Sequence, residues 1–381
     1  MDELGMGTPD EQSSDELQSG RRIFLKTAAA SALAMTATGV AAVAEEAPTS
    51  GKLRIGVMGV ANSFTAWSWS DLIEAEKEGN SARRGSFQTP FLGMDITHVW
   101  DPDPQVAQEY AKRLDAVSVA RFDDMVGEVD GVIFGVMEDV PWYKYLARPY
   151  IEAGTPIYLS RPFAYCMRDI DEILDLVAKH NAPIMATAKF EHYNEVGALK
   201  GRIESLGKLR LVHATGNAND FPMHFHIMYM MMQIFGFDVK QVSLITDGIQ
   251  RNNFCQLTLH YPGNEEQPPF LCAIHGVRNK DQLSVSMFGD THTATTNMMR
   301  SPDWQDSLLF RYAPQVIAMQ RTFEGESFEP LENIRAKTRI WLAAYYSHLE
   351  RSGGLVDVAD LPSDWRAPYP QPDRYDKNMF R

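Results

Sequence analysis

The chain has 381 residues, enough for two domains and a sizeable core, and at 44% hydrophobic and 23% charged its composition is that of an ordinary globular protein. Its formal net charge of −14 argues against a general nucleic-acid partner, because phosphate binding needs a basic surface. Cys166, Cys255 and Cys272 are too few and too widely spaced for a disulfide framework or a zinc site. Cys255 and Cys272 pair only if adjacent strands bring them together; otherwise they are buried thiols.

The first 19 residues are polar and acidic and read as disordered. "GRRIFLKTAAASALAMTATGVAAVA" follows. Arg21–Arg22, then Phe24, Leu25 and Lys26, then a weakly apolar Ala-rich run, resemble a twin-arginine export signal, and Ala42-Val43-Ala44 supplies a small-residue cleavage pattern. The alternative is a membrane anchor, but the run is short and studded with Thr and Ser, and no later stretch approaches membrane length. The expectation is a signal peptide over residues 1–44, a linker over 45–51, no stable membrane anchor, and a periplasmic or secreted protein. The twin-arginine route carries folded proteins, so a soluble cofactor would have to travel with the chain.

"LRIGVMGV" (53–60) is an apolar strand ending in glycine, and "TAWSWSDLIEAEKEG" has helical spacing with a glycine stop. A polar insertion precedes the strand "ITHVWD" (96–101). "DPDPQVAQEYAKRL" starts a helix with Asp103 as N-cap and Pro104 at the first helical position. "DGVIFGVM", "PIYLS" and "PIMATAKF" are apolar strands, separated by the helices "PWYKYLARPYIEAG" and "RDIDEILDLVAKH". Strict alternation with strands too apolar for a wet face predicts a Rossmann-like, doubly wound parallel sheet over 52–190. Residues 191–365 change character. Five strand patterns, from "KLRLVHATGNA" to "LSVSMFGD", predict an α+β domain with an open antiparallel sheet. "PMHFHIMYMMMQIFG" and "ENIRAKTRIWLAAYYSHLERSG" are its helices, and 366–381 is a C-terminal tail.

A Rossmann-like half followed by an open antiparallel sheet resembles the Gfo/Idh/MocA oxidoreductases, the family of glucose–fructose oxidoreductase and inositol dehydrogenase. "EAGTPIYLSRPFAY" is similar to that family's strand and "EKP" segment. "HFHIMYMMMQIFG" is similar to its helix bearing a catalytic histidine, with Gly236 at the expected distance from His226. "LAAYYSHLERSGGLVDV" is similar to its closing helix, including Ser347. The resemblance implies an NAD- or NADP-dependent oxidoreductase of carbohydrate metabolism, acting by hydride transfer on a small, sugar-like substrate. An open sheet face that must be covered implies a homodimer or homotetramer built on it.

The chain departs from the family's pattern at several points. The first turn reads "GVANSF" where the family has G-x-G-x-x-G. Gly59 remains, Ala61 replaces the second glycine and Phe64 the third, while Asn62 and Ser63 offer hydrogen bonds to phosphate beside a helix N-terminus. A strand–turn–helix without nucleotide fits the same residues. Asp101 ends the second strand, where an acid accepts from an adenosine ribose; an Asx turn fits it equally. An acid there favours NAD over NADP, and Arg83–Arg84 argue weakly the other way. In "EDVPWY", Asp139 stands where the family has proline and Tyr143 where it has histidine, and Trp142 and Tyr143 suit either a ring stack or a buried helix face.

Oxidising an alcohol needs a hydride acceptor and a base. Arg161 stands where the family carries a lysine. An arginine stays protonated, so it cannot be the base, but it can anchor an oxyanion, carboxylate or phosphate. The family's aspartate before the histidine falls at Pro222, and the acid sometimes seen three residues after it is Tyr229. That leaves His226 as the base, helped by His224, with Lys189 as a second cation facing the cleft. The bland alternative is that both histidines pack at a helix start. Two histidines without a carboxylate make a poor metal site, so none is expected. The substitutions also fit a repurposed member, a carbohydrate-binding protein or non-redox enzyme that has lost its cofactor.

Overall fold

The computed structural model describes residues 51–60, 73, 93–135, 137–217, 226–248, 254–277, 283–298, 304–327, 329–368, 375 and 379. The export signal, Ala61, Asn62, Ser63, Phe64, Arg83, Arg84 and His224 lie outside the described residues.

Six parallel strands form the first sheet: β1 (Leu53–Met58), β2 (Met94–Trp100), β3 (Val117–Ser118), β4 (Gly131–Phe134), β5 (Ile157–Ser160) and β6 (Ile184–Thr187). Their order is β3-β2-β1-β4-β5-β6, the doubly wound arrangement that the apolar strand runs predict. β4, β5 and β6 are buried at every position, because helices cover both faces. α1 (Pro104–Leu114) starts as its sequence dictates: Asp103 accepts from Gln105 N, and Pro104 stands in the first turn. The run 141–154, which reads as one helix, is the end of a 3₁₀ turn (Met137–Trp142) followed by α2 (Tyr143–Leu146) and α3 (Arg148–Glu152). Pro141 and Pro149 break it, since neither donates to a preceding carbonyl. α4 (Met167–His180) completes that face, on which Trp142 and Tyr143 are packed.

The second sheet holds β7 (Leu209–Asn217), β8 (Gln241–Thr246), β9 (Phe254–Tyr261), β10 (Phe270–Val277), β11 (Leu283–Gly289), β12 (Thr293–Met298) and β13 (Val356–Asp357). The order is β12-β11-β7-β10-β9-β8-β13. It is mixed, not wholly antiparallel: β7 and β10 run parallel, from Leu211 beside Leu271 to Asn217 beside Val277. Adjacent register does not bring the two cysteines together. Cys255 faces Gly276, Cys272 faces Leu259, and all three cysteines are buried thiols.

α5 (Asn194–Ile203) leads out of the first sheet, and α6 (His226–Phe235) lies between β7 and β8, closed by Gly236 at φ 93°. α7 (Trp304–Phe323) packs on the first sheet, although it comes from the second half of the chain. Tyr312, Val316, Met319 and Phe323 share a core with Ile55, Val57, Ile133 and Tyr158. Gln315 Nε2 donates to the Tyr158 hydroxyl, which donates to Thr187 O. α8 (Leu331–Arg351) reaches from α4 to β8, where Ser347 Oγ accepts from Leu244 N and donates to Gly354 O. The end of the chain returns to the first sheet. Ala367 N donates to Tyr165 O, and the Tyr375 ring lies 6.1 Å from Trp100 and 5.5 Å from Trp142.

α7 sits close enough to β4 that only glycine fits at residue 131. A Cβ there would stand 2.5 Å from the Phe323 ring. Gly131→Ala should therefore cost about 1–3 kcal/mol of unfolding free energy in urea, despite alanine's gain in chain stiffness, and Gly131→Ala with Phe323→Leu should recover part of it.

Candidate active site

Ligands of open α/β sheets bind beyond the carboxyl ends of the strands. Three peptide segments meet there at β5 and β6. The first leaves β5 through Ser160, Arg161 and a cis peptide bond to Pro162. The second leaves β6 as a 3₁₀ turn, Lys189–His192. The third is the start of α6, with His226 and, one turn on, Tyr229.

The His226 ring is 1% exposed and stacks on Phe190 at 4.9 Å with 22° between planes; Phe190 packs in turn on Tyr193. Lys189 is half-buried. Its ammonium lies 3.2 Å from the Tyr312 hydroxyl and 5.3 Å from the centroids of both Phe190 and Tyr312. Arg161 is buried and donates from Nη1 to Ser160 Oγ at 2.7 Å. Burial and the Glu191 carboxylate hold the Tyr229 hydroxyl well above its ordinary pKa, with Arg161 pulling the other way. Tyr229 is therefore a neutral donor. Burial, and the carboxylate of Asp139, itself fully buried after β4, hold the Tyr143 hydroxyl well above its ordinary pKa, with Arg161 pulling the other way. The structure thus gathers Arg161, Lys189, His226 and Asp139 around the same strand ends.

Beneath them lies a cluster that the motif reading misses. Lys337, fully buried on α8, donates to Ala186 O at 2.7 Å and Glu191 Oε2 at 2.9 Å, and lies 2.7 Å from Glu329 Oε1. Glu191 Oε1 accepts from Ala188 N at 2.6 Å. Burial works to lower the Lys337 pKa, and the two carboxylates outweigh it, so the net shift is upward. Burial raises Glu191 to about 7 against the pull of Lys337. His192, bonded to Thr187 Oγ1 at 2.9 Å, is pushed down to about 3 by burial and by Lys337. A periodic signal for Lys337 exists: Ile334, Lys337, Thr338, Trp341 and Tyr345 share one helical stripe.

Farther along the same carboxyl edge, beyond β1 and β2, Gly59 adopts φ 71° as a tight turn after β1 requires. Its N–H donates to Trp100 O, and Val60 N donates to Asp101 Oδ2 at 2.7 Å. Asp101 Oδ1 accepts from Asp103 N at 2.9 Å, and the residue is 3% exposed. Of the two readings of Asp101, its hydrogen bonds form the Asx turn. Each oxygen serves one main-chain amide, and a carboxylate oxygen can accept a second hydrogen bond. Among the described residues, no group of three or more His, Cys, Asp or Glu side chains is placed to hold a metal ion, and no helix is long and apolar enough to cross a membrane.

The fold is a Rossmann-like parallel sheet joined to a large mixed sheet, and solved chains with a similar fold include several dehydrogenases. GenD2 of gentamicin A biosynthesis, solved with NAD, superposes with a TM-score of 0.63 at 13% identity over 83% of this chain and 99% of that one. Scyllo-inositol dehydrogenase from Lactobacillus casei, solved with NAD(H) and scyllo-inositol, gives 0.61 at 13% over 81% and 100%. The WlbA dehydrogenase from Chromobacterium violaceum, solved with NADH and UDP-GlcNAcA, gives 0.61 at 15% over 85% and 100%. At these identities the likeness is one of fold. No protein-family model matches the chain, and no curated protein matches it in sequence.

The buried cluster has a signed pH signature. A carboxyl whose folded pKa is raised from 4.5 to about 7 contributes stability that is full below 4.5 and lost as pH rises through about 7. His192, lowered from 6.5 to about 3, acts oppositely, withdrawing stability as pH falls below 6.5. Glu191→Gln keeps an acceptor for Ala188 N and removes only the first contribution. The stability of wild type relative to this variant should fall between pH 5 and pH 8 in thermal melts. A constant difference would show that Glu191 is ionised throughout.

Proposed function

We propose that the chain is an NAD(P)-dependent oxidoreductase of the Gfo/Idh/MocA type that removes a hydride from an alcohol carbon of a sugar or sugar derivative. The observation that carries this reading is the convergence of Arg161, Lys189 and His226 at the carboxyl ends of β5 and β6, in a fold whose solved examples hold NAD beside inositol or a nucleotide sugar. The left-handed turn at Gly59 suits a dinucleotide. Asn62, Ser63 and the amides of Ala61 and Phe64 belong to the proposed cofactor site, together with Asp139 and Arg161. Asp101 belongs to that site too, holding the turn and offering a further acceptor to ribose.

A bound nicotinamide supplies the hydride acceptor. His226 takes the hydroxyl proton at its imidazole, with its ring plane fixed by Phe190. Arg161 stays protonated and serves as an anchor for negative charge. Lys189 adds a second cation at the rim, and His224 precedes His226 as a secondary proton carrier.

A second reading, a carbohydrate-binding or non-redox relative without cofactor, is favoured by one observation. The amides of Gly59 and Val60 are both turned to protein acceptors, Trp100 O and Asp101 Oδ2. Gently purified protein should release nicotinamide dinucleotide at about one per chain on denaturation, or else melt higher with millimolar NAD or NADP, because a ligand of the folded form stabilises it. No extracted nucleotide and no thermal shift would leave the second reading standing.

The outer face of the second sheet supports a homodimer or homotetramer built on it. Its outward positions on β7, β9 and β10, from Leu211 and His213 to Thr258 and Val277, carry no Asp, Glu, Lys or Arg. Two copies of a chain with net charge −14 can approach there without like-charge contact. We also propose that residues 1–44 direct export by the twin-arginine route. Replacing Arg21 and Arg22 with Lys should leave the protein in the cytoplasm with its signal uncleaved, as read by fractionation and N-terminal mass; normal export of that variant would remove the proposal.

A further inference from the structure

Two deeply buried polar groups at the site lack partners among the described residues. Arg161 is 7% exposed, its Nε makes no hydrogen bond, and no carboxylate of a described residue stands within ion-pairing distance. The Tyr229 hydroxyl is fully buried and also unbonded. Lys337, by contrast, has two carboxylates and a carbonyl. A buried guanidinium without a counter-ion is costly, and unsatisfied buried groups in a folded protein ask for a reason.

The two groups belong to one place. The Tyr229 ring packs on Phe163 at 5.5 Å, two residues after Arg161, and the Arg161 charge acts on the Tyr229 hydroxyl. Ser160 Oγ holds Nη1, which fixes the guanidinium plane and leaves its Nε edge for a ligand. We infer that Arg161 and Tyr229 bind the carboxylate of an acidic sugar, one carboxylate oxygen accepting from Arg161 Nε and the other from the Tyr229 hydroxyl. A planar, singly charged group matches one guanidinium fork. A phosphate dianion would add a surplus negative charge beside Glu191 and Asp139. The inference rests on the oxidoreductase reading for the alcohol that reacts, and on Arg161 and Tyr229 alone for the anion.

The test uses the full chain, with D-glucuronate and D-gluconate as probes, D-glucose as their uncharged counterpart and NAD or NADP in a parallel titration. At least one acid should raise the melting temperature at concentrations where glucose does not. Its affinity should fall about tenfold to a hundredfold in Tyr229→Phe and in Arg161→Gln. Without ligand, Tyr229→Phe should melt as wild type does, and Arg161→Met should melt at the same temperature or higher, since each removes an unpaired polar group. Glucose binding as well as the acids, no shift with either acid, or a large loss of ligand-free stability in Arg161→Met would each overturn the inference. The nucleotide titration, with the extraction, separates the two ideas. A shift with an acid, but neither a shift with NAD or NADP nor nucleotide released on denaturation, keeps the anion site and removes the redox reading; bound nucleotide or a shift with NAD or NADP, but none with an acid, does the reverse.

Discussion

The ammonium of Lys337 ties the start of α8 to distant chain: it reaches Ala186 O at the end of β6 and Glu191 in the 3₁₀ turn, 151 and 146 residues away, and Glu329 in the loop just before its own helix. Much of the site hangs from this contact. Glu191 is held at one oxygen by Lys337 and at the other by Ala188 N, which ties the turn Lys189–His192 to α8 and to the end of β6. That turn carries Phe190, and Phe190 is the surface on which His226 lies. Burial, helped by the same positive charge, keeps His192 neutral, so it can bond Thr187 without bringing another cation into the core. Removing Lys337 alone would bury two unmatched carboxylates, a change of about 3–5 kcal/mol in comparable pairs.

A comparable constraint acts at β1 and β2. In dinucleotide folds the acid at the end of the second strand faces solvent and ribose. Here Asp101 faces inward and ties Val60 to Asp103, joining the turn after β1 to the cap of α1. The turn at Gly59 is thereby built by protein atoms and does not need a phosphate to form. The sheet is organised at both ends of its crevice by buried carboxylates that serve the chain itself.

Much of the first sheet is legible in sequence because fully buried strands leave uninterrupted apolar runs, and because Asp103 and Pro104 mark a helix start by local chemistry. The parallel pairing of β7 with β10 is not legible, since it joins strands separated by two others and by α6. β12 is a Thr-rich edge strand without an apolar face, and α7 carries Pro314 and a weak stripe, so neither announces itself. At the site, Arg161, Lys189 and His226 stand where the strand ends and the helix start place them. Lys337 escapes because a lysine in a helix reads as solvated unless its stripe is traced, and the Asp101 clamp escapes because both roles of an acid at that position use the same residue type.

The two buried cations show how the chain separates stability from binding. Lys337 is a compact point charge, and three acceptors surround it, so it is a finished structural contact. Arg161 presents a planar fork and is finished only on the Ser160 side. A lysine at 161 could lose its proton in a buried site and share the work of a base; an arginine keeps its charge at every working pH. Arginine at 161 therefore turns the end of β5 into a fixed positive site, which in the proposed reaction leaves proton transfer to His226. The residue type that cannot act as a base at that position is the same one that gives it a fixed, planar charge.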